Sequence, residues 1–269
     1  MSHYLSRQIR FAIDPFSASA QTGSNSYCAK PTADGLAFCF SLWIQLKGSA
    51  DKDTGFVVNV SDIDKIIRQK AIVIFEDFIK TRCLAVAGTA TKNFGQLLSK
   101  IWKTIEKDFK NMKINSLTLE LMPARKLAIK ERSGKMLYFS EKFEFSASHT
   151  LWNKKFSEKE NFKIFGKCAN KQGHGHNYIV EVTIKKTRLA PAPVAGVQSF
   201  EDTVDKHFIQ LVDHKNLNDD VKYFKKTNPT VENIAQFAFK CLKDKFKPAK
   251  LDCITVWEND RTFCTFRND

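Results

Sequence analysis

The chain has 269 residues, 43% of them hydrophobic and 23 of them Phe, enough for a sizeable core in one large domain or two ordinary ones. Its net charge of +14, from 43 Lys and Arg against 29 Asp and Glu, suggests a polyanionic partner, either nucleic acid or a phosphorylated small molecule. No apolar run approaches the ~20 residues that span a membrane. The Lys residues are spread along the chain and no aromatic-plus-basic RNA-binding motif occurs, so nucleic acid is not the expected partner. A Lys-rich solvated surface is the plain alternative. Met1 to Arg7 holds no signal-peptide core, and the expected location is the cytoplasm. Seven scattered cysteines without a CxxC pair read as reduced, mostly buried thiols.

In chain order, residues 4–13 read as a strand ended by Asp14-Pro15, and 17–27 as a loop. Leu36 to Leu46 reads as a strand, and Phe56 to Val60 as a short one. Ser61-Asp62 is the expected cap of a helix over Ile63 to Lys80. Phe94, Leu97, Leu98, Ile101, Trp102 and Ile105 repeat at helical spacing, and Ile114 to Leu121 is a strand. The second half follows the same order. Strands are expected at Leu137 to Phe145 and Tyr178 to Lys185, a turn at residues 190–193, and a helix over Phe200 to Val212. Thr230 caps a helix running to Phe246, and Cys253 to Glu258 is the last strand.

The shared order extends to residues. Cys28-Ala29 aligns with Cys168-Ala169 at an offset of 140, and Gly35, Phe38, Phe40 and Ile44 then meet Gly175, Tyr178, Val180 and Ile184. The chain reads as a fused duplicate of a unit of about 130 residues, with its junction near 131–136. The expected domains are 1–134 and 135–269. In the first copy Pro15, Asp34 and Leu36 stand where the second has His149, His174 and His176. That copy has lost the chemistry, and Cys28 is a relic of Cys168.

The six histidines include one His-x-His pair, His174 and His176, at the start of an alternating run. On a strand the two imidazoles point to one side and make half of a metal site. His149, at the end of the strand Phe143 to Ser148, is the best third ligand. Three imidazoles with an open fourth position is the pattern of a catalytic zinc. A bare HGH is more often a pair of surface or hydrogen-bonded histidines, so the neighbouring motifs decide the reading.

Those motifs are Phe145-Ser146-Ala147-Ser148-His149, Phe165-Gly166-Lys167-Cys168 and His174-Gly175-His176-Asn177-Tyr178. Asp213-His214-Lys215-Asn216-Leu217-Asn218, Pro229-Thr230-Val231-Glu232-Asn233 and Val256-Trp257-Glu258 follow in order. Together they resemble the 6-pyruvoyl-tetrahydropterin synthase family, which includes 6-carboxytetrahydropterin synthases. The resemblance implies zinc on His149, His174 and His176, and Cys168 as a catalytic base working with Asp213 and His214. It implies Glu258 as the carboxylate that grips the pterin, with Thr230 nearby. It implies 7,8-dihydroneopterin triphosphate as substrate, triphosphate as a product and a pyruvoyl or a carboxy pterin as the other. A non-catalytic zinc- and pterin-binding scaffold is the alternative from another class.

The implied fold is α+β: two tandem tunnelling-fold domains, each a four-stranded antiparallel sheet with two helices on one face. Subunits of the family assemble into barrels, so a homo-oligomer is expected, with three two-domain chains doing the work of six. Such chemistry needs a Lewis acid to acidify hydroxyls and a base of lowered pKa, for which a thiolate beside zinc and cationic groups serves. Thr150 departs from the family's frequent Arg, and Asn259 from its Thr. The family's Thr-Gly-Met-Val segment is blurred at residues 195–198 but kept better at Thr54-Gly55-Phe56-Val57.

Overall fold

The computed structural model describes residues 2–14, 38–83, 90–109, 111–130, 136–187 and 196–268. The expected loop at 17–27, the Cys28 match, the positions of Pro15, Asp34 and Leu36, the turn at 190–193 and the junction at 131–135 lie outside them. The chain divides into two compact units, Met1–Phe139 with Lys186–Val194, and Ser140–Lys185 with Ala195–Asp269.

In the first unit, strands β1 (His3–Ile13), β2 (Phe38–Gly48), β3 (Lys113–Met122) and β4 (Arg125–Lys130) pair antiparallel in sequence order. Alternation turns Ile9, Phe11, Leu42, Ile44, Leu117 and Leu119 to one face, all fully buried. Two helical runs cover that face. One comprises Val60–Ile66, Ile67–Ile72, Val73–Phe78 and Ile79–Cys83, with π-type turns at its second and fourth pieces. The other is Ala90–Ile105. Phe11 meets Phe75 edge-on at 5.2 Å, which ties strand to helix.

The second unit has the same plan. It contains β5 (Met136–His149) from Ser140 onward, β6 (His174–Thr187), β8 (Lys250–Asn259) and β9 (Thr262–Arg267) in that order. A two-residue strand β7 (Lys215–Asn216) lies parallel to the end of β5. Its helices are the run from Val197–Val204 through Asp205–Ile209 to Gln210–Val212, and Val231–Leu242. Tyr178, Val180, Val182, Ile254 and Val256 are buried with Phe208, Val212, Ile234 and Ala238. Each such side chain contributes about 1.5–3 kcal/mol on burial. Phe145 stacks on Tyr178 at 4.9 Å and meets Phe208 edge-on at 5.6 Å, so this core runs up to the end of the sheet where the histidines stand.

Several expectations change. Phe56 to Val60 is not a strand: it links the turn that the Asp51 carboxylate holds at Asp53 and Thr54 to the helix that begins at Val60 under its Asn59 cap. The helix cap is Asn59, which accepts from Ser61 N–H, ahead of the expected Ser61-Asp62. The Thr230-capped helix ends at Leu242, short of Phe246. β4 and β9, each the far arm of a two-residue hairpin, and the helix Glu158–Phe165 carried no expectation. Among the described residues no helix is long and apolar enough to cross a membrane.

Candidate active site

Strand alternation builds the site. His149 ends β5, while His174, His176 and Tyr178 alternate along β6. The β6–β8 register, Ile179 against Trp257, brings Glu258 level with Tyr178. Gly173 sets the entry to β6. Its φ is +73°, and a Cβ there would stand 3.2 Å from the His149 carbonyl, so the turn needs glycine.

The ring nitrogens of His149, His174 and His176 offered to a metal all lie within 4.8 Å of one another. His149 is 1% exposed, and its Nδ1–H donates to the Pro229 carbonyl at 2.7 Å. A carbonyl only accepts, so the Nε2 of the neutral ring carries the lone pair. That Nε2 stands 3.1 Å from His174 Nε2. With Zn–N bonds of about 2.0–2.1 Å, tetrahedral ligands sit ~3.3 Å apart, close to this spacing. Burial, first among the causes, pushes both His149 and His174 below the ordinary histidine value and favours the neutral rings a metal requires. His176 Nε2 is buried with no hydrogen-bond partner. The donor set and its orphaned nitrogen therefore fit a zinc ion.

Residues outside the triad hold it in place. Asn218 clamps Thr150, the residue after His149, accepting from its N–H at 2.8 Å and donating to its carbonyl at 3.0 Å. Glu258 Oε1 lies 3.5 Å from His176 Nε2 and 3.7 Å from His149 Nε2. It thus faces the triad.

Cys168 lies in the short 3₁₀ turn Gly166–Ala169, after a helix whose first turn is fixed by the Ser157–Glu160 capping box. Its carbonyl accepts from Leu151 N–H at 2.8 Å, which ties the turn to the chain just beyond His149. Burial and then the Glu258 carboxylate push the thiol up, not down. The protein group that acts on it is an anion, where cationic neighbours were expected.

Asp213 and His214 pair as expected, with His214 Nδ1 donating to Asp213 Oδ2 at 2.9 Å. Asp213 Oδ1 accepts from Ser146 N–H at 2.9 Å. That bond first, and His214 second, hold the carboxyl below its usual range. His214 has a left-handed backbone, φ 54°, and its N–H donates to the Ser146 carbonyl at 2.6 Å. Its side chain is 82% exposed. It shares with His176 an open cleft of about 450 Å³ that Cys168 does not line. Thr230 Oγ1 accepts from Asn233 N–H as a helix cap, and the residue before it carries the carbonyl that His149 uses.

Tyr178 was not singled out for chemistry. It is fully buried between triad and core, and its hydroxyl has no hydrogen-bond partner. Burial, then Glu258 and Cys168, push that hydroxyl far up. Its place two residues after His176 was the available signal, since a strand puts both on one face.

An antiparallel sheet capped by helices on one face, with three imidazoles converging at its end and a carboxylate facing them, presents a donor set of the kind that holds a single metal ion. The family described as 6-pyruvoyl tetrahydropterin synthase matches residues 138–269. The 6-pyruvoyl tetrahydrobiopterin synthase of Homo sapiens is 36% identical over 131 residues, 48% of this chain and 90% of the human protein. That of Drosophila melanogaster is 32% identical over 132 residues, 48% of this chain and 79% of the fly protein. The solved Caenorhabditis elegans 6-pyruvoyl tetrahydropterin synthase is 32% identical, covers 50% of this chain and 96% of its own, and gives a TM-score of 0.47. The chain belongs to the 6-pyruvoyl tetrahydropterin synthase family.

Proposed function

We propose that the chain is a zinc-dependent lyase that acts on 7,8-dihydroneopterin triphosphate, eliminates triphosphate and forms 6-pyruvoyl-tetrahydropterin. The observation that carries this reading is the convergence of His149, His174 and His176 on one point, flanked by Glu258. The names of the related animal proteins support the pyruvoyl product, as do the five residues between Cys168 and His174.

His149, His174 and His176 would hold the zinc, which when bound supplies the Lewis acidity that makes substrate hydroxyls and adjacent C–H groups acidic. Cys168, as thiolate, takes the proton from the substrate side chain. Asp213 holds His214 in the tautomer that leaves Nε2 free to give or accept a proton. Glu258 accepts paired N–H donors from the pterin edge, with Thr230 beside it. Residues 1–134 form a catalytically silent copy and 135–269 the active domain, in a homo-oligomer where three such chains take the place of six subunits.

The test is incubation of the zinc-loaded chain with 7,8-dihydroneopterin triphosphate. Triphosphate and a pyruvoyl pterin are expected in equal amounts. Acetaldehyde with a carboxy pterin would move the assignment to 6-carboxytetrahydropterin synthase. No triphosphate release would leave a pterin-binding scaffold instead. A light-scattering mass of one chain with full activity would refute the assembly.

A further inference from the structure

A second concavity in the same unit, a cleft of about 850 Å³, is lined by Trp152, Lys154, Lys225, Lys226 and Asn228, with Asp219 its one acidic residue. Among the described residues, none of the three lysine ammonium groups has an ion pair or hydrogen bond. Three ammonium groups against the single carboxylate of Asp219 leave the hollow with a net positive field that draws a multivalent anion.

The walls are fixed to the metal site. Trp152 N–H donates to Asn228 Oδ1 at 3.1 Å. Asn228 is followed by Pro229, whose carbonyl takes the His149 Nδ1–H. Asn228 is itself held by Asn233 Nδ2, which donates to its carbonyl at 2.9 Å. Trp152 is three residues beyond His149, so no more than about 11 Å of chain separates them. The cleft therefore starts within one short segment of the triad, and the adjacent residues Asn228 and Pro229 carry the hydrogen bonds of the one and of the other.

We infer that this cleft is an oligophosphate subsite, in which Lys154, Lys225 and Lys226 hold a chain of phosphate groups while the rest of a ligand reaches the triad. The inference rests on the pterin-triphosphate reading for which tail lies there, and on the cleft alone for the anion site. Lysine suits the role because each ammonium is a flexible point charge that follows a long polyanion.

The test uses the zinc-loaded full chain and the double variant Lys225→Gln/Lys226→Gln, with Lys154→Gln as a second, independent variant. Calorimetry with inorganic triphosphate is expected to show binding that weakens with added salt and falls about tenfold or more in the double variant. Zinc content and the far-ultraviolet spectrum stay unchanged, as does affinity for 7,8-dihydroneopterin, which has no phosphate. A parallel rise in KM for 7,8-dihydroneopterin triphosphate at constant kcat identifies the tail as the substrate's. Weakened triphosphate binding with KM unchanged identifies a site for free oligophosphate. Triphosphate affinity unchanged in both variants overturns the inference. Lysine-dependent triphosphate binding without turnover would instead sink the enzyme reading and leave the anion site standing.

Discussion

His149 donates its Nδ1 proton to the carbonyl of Pro229, and that one bond fixes which nitrogen faces His174. Two consequences separate on mutation. His149→Ala removes a metal ligand and strands a buried carbonyl, which costs about 1–3 kcal/mol in the metal-free protein. His176→Ala removes a ligand without touching Pro229. Both variants should lose stoichiometric zinc. Urea unfolding of the apo proteins should show the larger loss in His149→Ala, and equal losses would refute the tautomer assignment.

Zinc itself should stabilise the second unit. At free zinc one hundred times its Kd, linkage contributes about 2.7 kcal/mol. For a unit of this size that is a rise of about 10 °C in Tm, removed by chelator and restored by zinc. Differential scanning calorimetry with and without chelator measures it. A Tm that ignores the chelator would mean that the three histidines hold no metal.

The Cys168 thiol is pushed up by burial first and then by the charge of Glu258. Glu258→Gln removes the second cause, so alkylation of Cys168 in the apo protein at neutral pH should speed up. Turnover should still fall, because the carboxylate proposed to hold the pterin is lost. Cys168→Ala should lower kcat by about 10²–10⁴-fold while zinc content and fold are kept. Full turnover without the thiol would exclude it as the base.

The Asp213 carboxyl is held low by the Ser146 N–H and then by His214. A folded value below the unfolded one means that the unfolded chain binds the proton more tightly. The pair's contribution is therefore present above the ordinary aspartate value of about 3.9 and is lost as pH falls through the depressed folded value. In Asp213→Asn this acid-side slope should flatten, with little change at neutral pH. Denaturation midpoints between pH 2 and 6 test it, and a variant slope equal to the wild type's would show the carboxyl unperturbed.

Much of the site is legible in the sequence. The alternation of His174, His176 and Tyr178 gives one face of a strand, and the two half-buried histidines and the buried tyrosine lie where that period puts them. Thr230 reads as a cap and is one. Less was readable where the partner is distant or is backbone. Nothing local in Pro229 marks its carbonyl as the support of a histidine 80 residues away. Asn218 looks like a turn residue, yet its amide clamps Thr150 through 68 residues of separation. β4 and β9 escaped because short arms such as Arg125–Lys130 carry charge at both ends, which hides their alternation. Phe56 to Val60 has the β-branched residues of a strand, but Asn59 caps a helix that already begins at Val60, which leaves too short a stretch to pair.

Two of the three imidazoles ride on β6 at positions 174 and 176, and the third ends β5. A strand that slipped by one residue against its neighbours would turn both β6 imidazoles to the opposite face of the sheet. No rotamer change could bring them back. With zinc on the three histidines, metal uptake would report strand pairing: a mispaired sheet would be unable to take up the ion, and the ion would in turn select the one alignment that places Glu258 beside the site.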